Sequence, residues 1–344
     1  MTPLNAEAAK KMIGQDIGEI DIASVAPKNC RVQDEKTVPV LEVNDLSVSF
    51  LQYQTGLRQR MLKVISDLNV SIYEGEIMAV VGSSGSGKSL LDHAILGILP
   101  KNAFVSGSLL YQGQLLSPER QKELRGREIA LIPQSVNYLD PLMRVGAQVR
   151  MAVRSGNPAE EQRKAFRRYS LDQKAESLFP FQLSGGMARR VLVSTAVVSS
   201  AKLIIADEPT PGLHPEVVTE ALNHLRRLAD EGCAVMLITH DIGTALAVAD
   251  KIAVFYAGTT VEVSLAADFK GRGEALRHPY TKALWRALPQ NEFIPIPGFQ
   301  PSPNSLPAGC LFAPRCPLKT SRCLTEEPQM RKLRRGRVRC HHAT

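Results

Sequence analysis

The chain has 344 residues, enough for about two domains at ~150 residues each and for a sizeable core without disulfide or metal staples. Hydrophobic residues at 44% and charged residues at 22% exclude global disorder, and aromatics at 5% argue against a protein that stacks single-stranded bases. Lys+Arg at 42 against Asp+Glu at 34 gives a net charge of +8, which points toward an anionic partner without choosing among nucleotide, nucleic acid and membrane surface.

Residues 1 to about 37 are polar and weakly patterned and read as a flexible extension, with one short helix around Ala6 to Ile13. This stretch has no apolar core of the kind a secretion signal needs, so a cytosolic chain is expected, in which the six cysteines are not a disulfide framework. Ordered structure is expected from Val40. Leu41–Val43, Leu46–Phe50 and Val70–Tyr73 alternate apolar and polar, as half-buried antiparallel strands do. Four continuous apolar runs follow: Ile77–Val81, Leu203–Ala206, Val235–Ile238 and Ile252–Phe255. Such runs suit parallel strands covered on both faces. Between about 140 and 200 no strand stands out, and Glu160–Tyr169 and Met187–Val198 read as helices of an α-rich insertion. The longest uncharged stretch, Val191–Ala201, is too short to span a bilayer, which takes ~20 residues. Residues 289–317 are rich in proline, and a small separate appendage with four cysteines and the basic run Arg331–Arg339 is expected at the end.

Gly82-Ser83-Ser84-Gly85-Ser86-Gly87-Lys88-Ser89 fits G-x-x-x-x-G-K-[ST] between a strand and the helix-compatible Leu90–Leu96. Glycines let the backbone aim N–H groups at phosphate oxygens, and the helix that follows offers its positive end to the same anion. Lys88 should reach the β- and γ-phosphates and the Ser89 hydroxyl should bind Mg²⁺. Asp207-Glu208 end an apolar strand, with Asp207 placed toward Mg²⁺ and Glu208 toward the attacking water, because alternation separates the two side chains. Alone, that pair also reads as a solvated acidic turn before Pro209. His240 ends another strand of the same sheet, where open α/β sheets bind ligands, and is read as a γ-phosphate contact.

In order, GSSGSGKS at 82–89, Gln134 in IPQS, LSGGM at 183–187, LIIADE at 203–208 and ITHD at 238–241 resemble the nucleotide-binding subunit of an ABC transporter. The resemblance implies a P-loop (RecA-like) α/β core with an antiparallel β subdomain and an α-helical insertion. It places the nucleotide-binding domain at 38–263, with its helical subdomain at about 135–190. It implies ATP and Mg²⁺ as cofactors, ATP contacts from Gly82 through Leu90, and Mg²⁺ held by Ser89, Gln134 and Asp207. Two such domains would form a head-to-tail sandwich in which Ser184, Gly185 and Gly186 bind the γ-phosphate of the ATP on the opposite subunit. Phe50 resembles the adenine-stacking aromatic, with Tyr53 as the alternative and a core strand role for Phe50 left open. Two positions depart from the pattern: His214 stands where an aspartate is usual and Arg189 where a glutamine is usual.

HPYTKALWRALP at 278–289, IPG at 296–298 and GCLFAPRCP at 309–317 resemble the C-terminal region of the oligopeptide/dipeptide/nickel importer ATPases, which assigns 264–344 to that region. The resemblance implies two permease subunits, a companion ATPase and an extracytoplasmic solute-binding protein as partners, with no nucleic acid. It implies a peripheral location on the cytoplasmic face of the membrane and peptide cargo, with nickel, metal chelates or opines as alternatives. A soluble ABC ATPase acting on nucleic acid or ribosomes is the rival class. Cys310, Cys316, Cys323 and Cys340, spaced C-x5-C-x6-C-x16-C, match no common short metal template. The resemblance implies a [4Fe–4S] cluster on them. Zn²⁺ is the alternative, and packing of four ordinary thiols the plain reading.

Overall fold

The computed structural model describes residues 37–53, 58–211 and 215–344. The N-terminal extension, where a short helix is expected around Ala6 to Ile13, Cys30 and His214 fall outside the described residues.

Strands β1 (Leu41–Tyr53) and β2 (Gln59–Ile72) pair antiparallel from Leu41↔Ile72 to Tyr53↔Gln59, with register shifts between Val43 and Ser49, and bury Leu41, Val43, Ile65, Val70 and Ile72. Next come β3 (Ile77–Gly82), helix α1 (Lys88–Leu96), β4 (Ala103–Tyr111) and β5 (Gln114–Leu115). Strands β4 and β5 complete a four-stranded antiparallel sheet in the order β2-β1-β4-β5. The antiparallel layer thus extends beyond the three segments between Leu41 and Tyr73 that alternation alone marked. Helix α2 (Pro118–Leu124) starts with Ser117 as its cap, and β6 (Ile129–Ile132) is a buried strand too short to be noticed in the sequence.

The insertion contains α3 (Val145–Ala152), α4 (Pro158–Arg168) and α5 (Gly185–Val197). Helix α4 has a strong local code. The Asn157 side chain accepts from the N–H groups of Ala159 and Glu160, Pro158 opens the first turn beside Glu160 and Glu161, and Arg167 and Arg168 sit in the last. Each placement favours the helix dipole or satisfies an end group. Leu139, Val145, Val149, Phe166, Val191 and Leu192 are buried together as the insertion's own small core.

Then follow β7 (Leu203–Asp207), α6 (Pro215–Asp230), β8 (Ala234–Thr239), α7 (Ile242–Val248), β9 (Lys251–Tyr256) and β10 (Thr259–Leu265). Strands β6, β7, β8, β3 and β9 are parallel neighbours. Alternation divides them between two cores. Ile77, Ala79, Val81, Ile204, Val235 and Leu237 pack with α6 and α7, while Met78, Val80, Ile205 and Met236 pack with α1 and the antiparallel sheet. Cover on both faces is why these strands read as unbroken apolar runs.

The C-terminal region holds α8 (Pro279–Arg286), α9 (Ser321–Thr325), β11 (Arg331–Leu333) and β12 (Gly336–Val338). It is not set apart from the core: β12 pairs antiparallel with β10, so the large sheet runs β11-β12-β10-β9-β3-β8-β7-β6. Two buried charges make the join. Glu262 accepts from the backbone N–H groups of Arg277 and His278 and pairs with the Arg277 guanidinium at 3.2 Å. The Arg339 guanidinium donates to the carbonyls of Thr260, Pro328 and Asp67. Among the described residues no helix is long and apolar enough to cross a membrane.

Candidate active site

Three parallel strands deliver the site. Val81 of β3 lies opposite Thr239 of β8, and Asp207 of β7 opposite Ile238. Their carboxyl ends are therefore level, and the Gly82–Ser89 loop, Asp207-Glu208 and His240 emerge at one edge of the sheet. An open cavity of about 480 Å³ there is lined by Val64, Lys88, Ser89, Gln134, Glu208 and His240, together with Ser84, Gly85, Gly87 and Leu90.

The loop's shape depends on its glycines. A Cβ on Gly82 would lie 2.6 Å from the Phe255 carbonyl oxygen, and Gly87 sits at φ 91° with Ile65 only 3.1 Å from where a Cβ would be. Gly87 caps α1, whose first N–H groups therefore face the cavity edge. The Lys88 ammonium donates to the carbonyls of Gly82 at 2.9 Å and Ser83 at 3.2 Å. Burial lowers its pKa, opposed by the negative charges of Glu208 and Asp207. Ser86 is fully buried and its hydroxyl has no hydrogen-bond partner.

Asp207 is buried, and burial raises its pKa, with a hydrogen bond from Ser89 opposing. Its Oδ1 is buried without a partner. An unpartnered carboxylate oxygen beside a serine hydroxyl is a hard oxygen donor set of the kind Mg²⁺ takes. Glu208 follows at φ 47°, a left-handed conformation unusual for a side chain of this size. Both of its carboxylate oxygens lie at 2.8 and 2.9 Å from His240 Nδ1. Sequence reasoning aimed His240 at phosphate. The structure seats its Nδ1 on Glu208 and leaves most of its ring exposed.

Gln134 is exposed on the loop after β6. Ser184 caps α5, its hydroxyl accepting from Met187 N–H at 3.2 Å. A Cβ on Gly185 or Gly186 would meet nothing within 4 Å. This helix tip lines no part of the 480 Å³ cavity. Neither Phe50 nor Tyr53 is among the cavity's lining residues. Phe50 sits on β1 between Leu62 and Ala103, packed against the core, while Tyr53 is 68% exposed.

Two features of the site escaped the sequence reading. Arg189 was visible only as a departure from a pattern, yet its guanidinium donates to the carbonyl of Glu208 at 2.8 Å and to that of Gln134 at 3.1 Å. Asp92, one turn beyond Ser89, is 1% exposed; burial first, then the Asp207 charge, pushes its carboxyl up to about 8. No sequence signal separates such an aspartate from a surface one.

The four late cysteines are free and gather in one place; burial first, then the neighbouring thiols, raises the pKa of Cys310, to about 11, and of Cys316 and Cys340. Among the described residues, however, no three His, Cys, Asp or Glu side chains are arranged as a metal-holding group. The expected [4Fe–4S] or Zn²⁺ site on Cys310, Cys316, Cys323 and Cys340 therefore gains no support from the geometry. The backbone already uses part of the cluster, with Cys310 N–H donating to the Cys323 carbonyl and His342 N–H to Cys340 Sγ.

Comparison with known proteins agrees with this architecture. The family model described as ABC transporter matches residues 65–211, and that described as Oligopeptide/dipeptide transporter, C-terminal region, matches residues 261–323. The dipeptide transport ATP-binding protein DppD of Escherichia coli (strain K12) is 36% identical over 323 residues, covering 88% of this chain and 96% of that protein. The oligopeptide transport ATP-binding protein OppD of Salmonella typhimurium is 35% identical over 318 residues, covering 87% and 92%. Among solved structures, an ATP-binding subunit of an ABC transporter is 27% identical with a TM-score of 0.55, covering 67% of this chain and 91% of its own. A dimeric ATP-binding cassette in a post-hydrolysis state bound to ADP and Pi, 23% identical, covers 67% of this chain and 99% of its own with a TM-score of 0.58, and shares the fold. With the cradle, the carboxylates and the capped signature helix in place on that fold, the chain belongs to the ABC transporter ATP-binding proteins and is an ATPase that carries the oligopeptide/dipeptide C-terminal region.

Proposed function

We propose that the chain hydrolyses MgATP to drive uptake of di- and oligopeptides through two permease subunits, working on the cytoplasmic face of the membrane. It pairs head to tail with a second ATPase chain, and a solute-binding protein outside delivers the cargo. One observation carries this reading: packing within the chain shapes the cradle at Gly82 and Gly87, whereas the Ser184–Gly186 tip is an open helix N-terminus with room for atoms the chain does not supply. The peptide cargo is supported by the C-terminal region and by the names of the relatives.

In this mechanism the Gly82–Ser89 backbone and Lys88 grip the β- and γ-phosphates, and Lys88 exchanges its two loop carbonyls for phosphate oxygens. Ser89, Asp207 and Gln134 would hold Mg²⁺, which neutralises phosphate charge when bound. Glu208 orients the attacking water. His240 keys Glu208 through Nδ1 and presents the rest of its ring toward the γ-phosphate. Ser184, Gly185 and Gly186 close on the partner's nucleotide. Hydrolysis reopens the pair, and the surface between Gln134 and Leu183 passes the motion to the permeases. Catalysis here is positioning and charge stabilisation rather than covalent chemistry. The four thiols are proposed as ligands of a [4Fe–4S] cluster on the chemistry of the donor set alone. Iron and zinc content of anaerobically purified protein tests that, and a colourless protein with neither metal ends it.

The central test is affinity purification of the full chain from membranes, joined to labelled-dipeptide uptake by cells with and without it. Two permeases and a second ATPase should co-purify, and uptake should be lost without the chain and not be restored by Lys88→Ala. Co-purification with ribosomes or salt-sensitive nucleic-acid binding, with uptake intact, would overturn the proposal.

A further inference from the structure

We propose that Arg189 is a positioning residue for hydrolysis, clasping the loop that bears Gln134 and the strand end that bears Glu208 to the helix whose tip grips the opposing nucleotide. The proposal rests on the roles assigned above to Gln134 and Glu208. Its geometry is direct: one guanidinium nitrogen donates to the Glu208 carbonyl at 2.8 Å and the other to the Gln134 carbonyl at 3.1 Å. These acceptors lie 19 and 55 residues away in sequence, just past β7 and on the loop after β6.

A fork of rigidly spaced donors suits two carbonyls at once. A lysine is a point donor, and a glutamine offers one nitrogen on a shorter stem. The clasp also completes the hold on Glu208. Its N–H donates to the Ile238 carbonyl at 2.9 Å, its carboxylate faces His240, and Arg189 takes its carbonyl. A peptide held at φ 47° persists only where the surroundings over-determine it. Burial lowers the pKa of Arg189 while Glu208 raises it, so the charge sits in a partly desolvated position and its bonds are of the stronger, charge-assisted kind.

Arg189 lies on α5, about one turn beyond Gly185. Any shift of the tip on meeting a nucleotide is thus passed to the water-holding carboxylate and to Gln134 of the same chain, which ties one composite site to the other. The link is physical, a shared rigid fork, and so has a readout apart from turnover.

The test uses full-length Arg189→Met, which keeps the apolar stem, and Arg189→Lys, which keeps the charge. ATP turnover, equilibrium binding of a fluorescent ATP analogue and backbone hydrogen exchange are measured side by side. The expected result for Arg189→Met is a kcat lower by about ten-fold or more with nucleotide affinity within about two-fold, the pattern of a lost transition-state arrangement. Exchange should rise in peptides spanning Gln134 and Glu208, and Arg189→Lys should recover part of both effects. If Arg189→Met fails to fold, Arg189→Lys decides, because a single ammonium nitrogen lacks the two separated donor nitrogens with which the guanidinium reaches the two carbonyls. Unchanged exchange at both segments, or a loss of nucleotide affinity in proportion to kcat, overturns the proposal. Wild-type turnover in Glu208→Gln would instead remove the role of Glu208 and leave the exchange result for the clasp standing.

Discussion

The two glycine-rich turns of this chain use the same residue for opposite reasons. In the cradle, Gly82 and Gly87 are glycines because the protein itself leaves no room: a Cβ would press on the Phe255 carbonyl or on Ile65. At the signature tip, Gly185 and Gly186 border open space and take ordinary helical backbone. Both turns end in helix N-termini and so both suit an anion. A crowded glycine shapes the chain, whereas an uncrowded one at a capped helix start keeps space for something brought from outside. On the proposed function, one half of the chemistry is complete in a single chain and the other half is not.

The largest effect should come from the complete half. Glu208→Gln should slow hydrolysis by ~10²–10⁴-fold while ATP binding persists, since the change removes the carboxylate proposed to orient water and spares the proposed phosphate ligands. Lys88→Ala should instead weaken nucleotide binding itself. Single-turnover rates with equilibrium binding separate the two. Turnover near wild type in Glu208→Gln would take the carboxylate out of its role.

Substituting the glycines sharpens the contrast at a smaller scale. Gly82→Ala should lower stability by about 1–3 kcal/mol, the usual cost of overpacking, and reduce nucleotide binding with it. Gly186→Ala should leave stability within about 1 kcal/mol, because its Cβ meets nothing and the position is helical. It should still depress turnover of the paired enzyme by ~10-fold or more, if nucleotide closes on this tip as an oxyanion donor site does. Thermal melts beside ATPase assays decide. If the two substitutions lower stability equally, the distinction between shaping and space-keeping glycines fails.

How far the sequence foretold all this also divides by region. Strands β3, β7, β8 and β9 were legible because cover on both faces leaves only apolar residues, and the cradle was legible because its chemistry needs adjacent residues. What stayed hidden depends on partners distant in sequence. Strand β6 has only four residues, and β12 carries Arg337 within the strand and Arg339 just past it, so neither advertises a place in the large sheet. Arg339 looked like one more charge in a solvated basic run. It is 4% exposed, and three backbone carbonyls hold it. Arg189 announced itself as an oddity, but nothing local said that it joins residues 134 and 208. The thiols gave a countable pattern whose geometry among the described residues does not form a metal group.

The packed side of the comparison can also be tested through pH. Asp92 is buried on α1 behind the cradle, with Oδ1 accepting from His93 N–H at 2.7 Å. Its folded pKa is about 8 against 3.8 for the free side chain, burial being the larger cause and the Asp207 charge the second. The folded chain therefore holds a proton that the unfolded chain releases. Its stabilising effect is fully present below about pH 3.8, declines as pH rises, and is gone once pH passes about 8. The slope is at most about 1.4 kcal/mol per pH unit. Asp92→Asn cannot ionise and lacks this dependence. In metal-free buffer, the melting temperature of Asp92→Asn should gain on that of wild type between pH 5 and pH 8 and then stop gaining. A difference that stays constant over the range would mean the Asp92 carboxyl is ionised in the folded chain, and that the ground behind the cradle is wetter than its packing implies.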